Sequence, residues 1–157
     1  MAQEAPEIPR DTTPRPPAAD PRTARMRQTM AELVAIERAL VAAYRWAASR
    51  SEQPFERDKL REFRRAHEAQ LAELERFAGA VEATSITHDL AVDELLRPLN
   101  AILEHEDAAA RAYEEALQHP VDLPVLHDVM RGALERCRQR WAWLTLHAEP
   151  PESQRAG

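Results

Sequence analysis

Four apolar stripes in this chain are each interrupted near the middle by a side chain capable of chemistry: Glu37, His67, Glu106 and Cys137. The stripes read Met30, Leu33, Glu37, Leu40, Tyr44, Ala47; then Leu60, Phe63, His67, Leu71, Leu74; then Leu99, Ile102, Glu106, Ala109, Tyr113; and finally Met130, Ala133, Cys137, Trp141, Leu144. A carboxylate or imidazole leaves water only when something inside the protein compensates it. Two carboxylates and one imidazole (Glu37, Glu106, His67) are a donor set for a single divalent ion such as Fe(II), Mn(II) or Zn(II). Cys137 would add a soft ligand and shift preference towards Zn(II). The other compensation is protein charge. Arg64 lies three residues before His67 and Arg140 three after Cys137, so guanidinium groups could pair with the two glutamates in a structural polar layer. On that reading Arg64→Ala is predicted to cost ~3 kcal/mol or more, and His67→Leu to be tolerated. A third chemistry is a redox response of Cys137, activated by a neighbouring His67.

Steps of three and four residues within each stripe place its members on one helix face. Four helices follow. The first begins at Asp20–Pro21, a cap followed by a first-turn proline, and runs to about Arg50. The second starts at Pro54 and ends near Ala83. The third is capped at Thr87 or Asp89, with Pro98 as a kink or as its true start, and ends by His119. The fourth starts at Asp122 with Pro124 in its first turn and ends near Ala148. Six of the twelve prolines precede Arg22, in a stretch without periodicity. Residues 1–21 are therefore expected to be a disordered tail, 22–148 the helical domain, and 149–157 a second tail. Pro14, Pro16 and Pro17 could form a short polyproline segment. Short connections after the first and third helices predict two antiparallel hairpins, hence an all-α antiparallel four-helix bundle. The middle connection is either a short loop or a crossover along the bundle.

The two hairpins resemble each other. Glu37, Tyr44 and Ala47 recur as Glu106, Tyr113 and Ala116 at an offset of 69, and Leu60, His67 and Leu74 as Met130, Cys137 and Leu144 at an offset of 70. Glu37 and His67 are about equally distant from the turn at Ser51 to Gln53, so they should face each other. Glu106 and Cys137 should fall within about one helical turn of that level. Tyr44 and Tyr113 are expected to pack while bonding a glutamate through their hydroxyls.

At these positions the chain resembles the ferritin-like superfamily, in particular its small bacterial four-helix proteins. The residues concerned are Glu37 with Tyr44 and Ala47, the segment Phe63 to His67 with Leu71, and the run Glu104 to Leu117. The resemblance spans about residues 25 to 148 and implies a ferritin-like bundle. Di-iron members carry one glutamate on each of two helices and Glu-x-x-His on each of the others. Glu37 and Glu106 match the single glutamates and His67 matches one histidine. Arg64 stands where the first motif glutamate belongs, and Leu134 and Cys137 replace the second pair. Three of six ligands remain, and both bridging glutamates are gone. The resemblance thus implies a degenerate site in a non-enzymatic protein with a structural or interaction role. A mononuclear metal-binding stress protein is the alternative.

The bulk composition narrows the classes further. A net charge of −6 offers no electrostatic basis for nucleic-acid binding. One cysteine excludes an intrachain disulfide, and with no apolar run approaching ~20 residues a cytoplasmic protein is expected. With three glycines there is no phosphate-binding loop, and no serine–histidine–acid pattern appears. His88, His105, His119, His127 and His147 share no ligand spacing. If Trp141 faces the core, Trp143 faces outward or toward a neighbour; exposed beside Ala142 and Leu146 it could seed a homodimer, and partly covered it is a simple surface aromatic.

Overall fold

The computed structural model describes residues 20–78, 97–120 and 123–148, and among them every regular element is helical. These are α1 (Pro21–Arg50), α2 (Pro54–Ala78), α3 (Pro98–Gln118) and α4 (Pro124–His147). Each helix opens on a proline, whose missing N–H is not needed in the first turn and whose fixed φ suits it. The Asp20 carboxylate caps α1 by accepting from the Arg22 backbone N–H at 3.2 Å. Asp20 and Pro21 therefore belong to α1 and not to a disordered tail. Pro98 occupies the first turn of α3 rather than a kink, with Arg97 as its N-cap. The caps expected at Thr87, Asp89 and Asp122, the extension of α2 to Ala83 and the middle connection lie outside the described residues, as do both tails beyond Asp20 and Ala148.

α1 packs on α2, α3 on α4, α1 on α3 and, more sparsely, α2 on α4. The shared core is made of buried side chains from all four helices, among them Leu33, Leu40, Leu60, Leu74, Ile102, Met130 and Leu144. Between α1 and α2 the turn is fixed by Ser51: its N–H reaches the Ala47 carbonyl at 3.0 Å, and its own carbonyl accepts from the Arg57 guanidinium. No described helix is long and apolar enough to cross a membrane.

The stripes are buried largely as their periodicity predicts, with two local rotations. On α2 the buried set is Leu60, Phe63, His67, Gln70 and Leu74, a three–four repeat centred slightly to the Gln70 side of His67. Leu71 sits at the margin and Arg64 beyond it. On α4 the same rotation buries Arg140 and turns Trp141 out to 40% exposure. Trp143, expected outside, packs edge-on against Phe63 at 5.4 Å and stacks on His147 at 4.0 Å.

Candidate functional site

The polar side chains expected in the core meet in one layer across the middle of the bundle. Glu37 and Tyr44 come from α1, His67 and Gln70 from α2, Glu106 and Tyr113 from α3, and Cys137 and Arg140 from α4. All eight are buried, Arg140 retaining 4% exposure. Each sits on its helix's core face because apolar neighbours one turn away on either side hold it there.

His67 is the hub. Its Nδ1 lies 2.7 Å from Glu37 Oε2 and its Nε2 2.8 Å from Glu106 Oε1. A carboxylate oxygen accepts and does not donate when ionised, so between two ionised carboxylates both ring nitrogens donate. The ring is then an imidazolium held between two carboxylates. Burial works against that charge, but the hydrogen bonds to Glu106 and Glu37 outweigh it and raise the His67 pKa above its ordinary value.

Glu106 Oε1 gathers three donors: the Tyr44 hydroxyl at 2.5 Å, His67 Nε2, and Arg140 Nε at 2.7 Å. Burial alone would raise the Glu106 pKa, yet His67 and Arg140 bring it below the ordinary carboxylate range. Its Oε2 is buried without a hydrogen-bond partner. Glu37 is offered only donors: Tyr113 hydroxyl at 2.6 Å and Gln70 Nε2 at 2.5 Å on Oε1, and His67 on Oε2. Gln70 also donates to the Tyr113 hydroxyl at 2.9 Å and accepts from Arg136 Nε at 3.2 Å. Two carboxylates thus face one imidazolium and one guanidinium, and the layer balances to zero charge.

The internal repeat explains the geometry. Tyr44 on α1 reaches Glu106 on α3 and Tyr113 on α3 reaches Glu37 on α1, each seven residues beyond its own helix's glutamate. Extending the offset of 70 by three residues pairs Gln70 with Arg140; Gln70 bonds Glu37 and Arg140 bonds Glu106. That extension was the missed signal for Gln70. The expectation that both tyrosine hydroxyls bond glutamates matches the geometry, and Glu37 and His67 do face each other.

Arg140 enters the layer, but Arg64 does not. Arg64 pairs with Glu68 on its own helix, Nε to Oε1 at 3.3 Å, with its side chain partly exposed. It flanks His67 on the side opposite Gln70, and the rotation of α2 that buries Gln70 carries Arg64 towards solvent.

The metal donor set is arranged differently from a chelate. Glu37 and Glu106 lie at opposite edges of the His67 ring, so the carboxylates bracket the imidazole instead of converging with it on one point. Both nitrogens that could ligate are taken, and Arg140 covers Glu106. Among the described residues, no three His, Cys, Asp or Glu side chains are disposed to hold a metal ion.

Cys137 is likewise placed away from reactivity. Its Sγ accepts from Arg140 at 3.4 Å, but burial first, then the charge of Glu106, pushes the thiol pKa far above its ordinary value. His67 spends both nitrogens on carboxylates, so it does not activate the thiol. No family model, no curated protein and no solved structure matches this chain.

Proposed function

We propose that this chain is a non-enzymatic helical scaffold of ferritin-like type, whose buried polar layer fixes helix register where di-iron proteins of that type hold metal. The observation that carries the reading is the bridging of Glu37 and Glu106 by the two nitrogens of His67. With Arg140, that imidazolium supplies the positive charge that metal ions would otherwise bring between two carboxylates. Buried ion pairs of this kind serve register better than stability, because desolvation offsets most of their Coulombic gain. A role in protein interaction is the function we infer for such a scaffold, in which no nucleophile–base pair is assembled among the described residues.

The order of contacts supports the ferritin-like topology. Tyr44 meets Phe63 while Glu37 meets His67, the descending order of an antiparallel α1–α2 hairpin. Glu106 meets Arg140 while Glu114 meets Arg138, which supports the same for α3 and α4. His67 meets Glu106 and Gln70 meets Tyr113, so α2 and α3 run the same way. Parallel neighbours in sequence need a connection that travels the length of the bundle, the single long crossover of ferritin-like folds.

The deciding experiment is elemental analysis of protein purified without chelator and after anaerobic Fe(II) or Zn(II) loading, beside Glu37→Ala. The scaffold reading expects less than a tenth of an equivalent of metal in both proteins. Metal near one per chain that disappears in Glu37→Ala would replace it with a mononuclear metal protein.

A further inference from the structure

A second feature lies at the far end of the bundle from the Ser51 turn. There the start of α1, with the C-terminal end of α3 and the start of α4, encloses a half-open cavity of about 780 Å³. Met26 and Leu123 give it apolar lining above the buried Met130, and its rim carries Arg22, Arg25, Arg27 and His119 together with the carboxylate of Asp20. Met26 lies eleven residues before Glu37, about 16 Å along the helix, so the cavity is separate from the polar layer.

Three observations bear on what it takes. The side chains of Arg22, Arg25 and Arg27 are exposed and have no ion-pair or hydrogen-bond partner among the described residues. They also stand where a helix least favours cations: beyond the Asp20 cap the first turn of α1 contains no acidic residue, and its macrodipole is positive there. Finally, methionines make an adaptable apolar surface, and the volume falls within the ~300–1,000 Å³ of small-molecule sites. A hydrocarbon tail suits the apolar lining, and an anionic head group would answer three unpaired guanidiniums and the helix dipole together.

We propose that this cavity binds a single-tailed anionic amphiphile, a long-chain carboxylate, with its head group on Arg22 and Arg25 and its tail over Met26 and Leu123. The test is isothermal titration of the full chain with dodecanoate below its micelle concentration, with helicity followed in parallel. Arg22→Glu/Arg25→Glu is the informative variant, since both residues are exposed and acids suit a helix's first turn, so its fold should be kept. Saturable binding near one per chain is expected, weakened at least tenfold in that variant and also in Met26→Gln, with dodecyltrimethylammonium failing to bind. Absence of saturable binding, equal affinity in the charge variant, or equal binding of the cationic amphiphile would each overturn the proposal. Binding of an acidic amphipathic peptide with dodecanoate excluded would also overturn it, and would assign the cavity to a protein partner.

Discussion

His67 and Arg140 hold two fully buried carboxylates, and their removal should show it. Arg140→Leu leaves Glu106 without its guanidinium and is expected to cost about 3–5 kcal/mol, read as a loss of unfolding free energy in urea. The sequence-based expectations for Arg64 and His67 are reversed by the geometry. Arg64 pairs with Glu68 on a partly exposed surface, so Arg64→Ala should change stability by less than about 1 kcal/mol. His67→Leu removes the bridge from both carboxylates and should cost about 3 kcal/mol or more in the same titration. A His67→Leu protein as stable as the parent would mean that the layer is not ionic.

The pH dependence follows from the same residues. The His67 pKa is raised on folding, so its contribution is complete below its unfolded value, ~6.5, and is lost as pH rises through the folded value. The Glu106 pKa is lowered, so its contribution is complete above its unfolded value, ~4.3, and fades as pH falls through the folded one. Melting temperature should therefore peak in the weakly acidic range and decline on the alkaline side, with that decline flattened in His67→Leu. Cys137, buried with a raised pKa, should react with a thiol reagent only on unfolding. Alkylation of the native protein at the rate of a free thiol would argue instead for the redox response.

Among the helices, the repeat makes a comparison available that a single layer would not. Tyr44 and Tyr113 occupy equivalent positions, Tyr44 donating to Glu106 and Tyr113 to Glu37. Loss of a hydrogen bond to a charged acceptor costs about 1.5–3 kcal/mol. Tyr113→Phe should cost more than Tyr44→Phe, because the Tyr113 hydroxyl also accepts from Gln70 and its removal strands that amide. Equal losses in denaturant titrations would show that the Gln70 bond adds nothing. The helices themselves were legible in the sequence because their prolines, caps and three–four spacing are local signals. The finer rotation of α2 and α4 was not, since Gln70 and Leu71 flank His67 closely enough that periodicity allows either at the buried margin. Packing against α1 and α3, where Gln70 finds Glu37 and Tyr113, selects one.

For the bundle as one body, the proposed topology sets a distance. Ala78 lies eleven residues beyond His67 and Pro98 eight residues before Glu106, at opposite ends if α2 and α3 run parallel. At 1.5 Å per residue the two ends are roughly 30 Å apart along the bundle axis. Spin labels at positions 78 and 98, in a Cys137→Ala background, should report a separation of that order. A separation near 10–15 Å would fit a short loop and discard the ferritin-like arrangement.

What the chain determines by itself is local or repeated: four helices opened by proline, four core stripes, and a glutamate–tyrosine spacing that recurs in both halves. These depend on neighbours within a few turns, which sequence records directly. Which charged groups neutralise the two carboxylates depends on side chains thirty or more residues apart meeting at less than 3 Å. A rotation of one helix by half a residue exchanges Arg64 for Gln70 or Trp141 for Arg140, and periodicity is blind to so small an angle. Only the packed bundle, by bringing donors from three other residues onto each carboxylate, sets an ion-paired layer apart from a chelate.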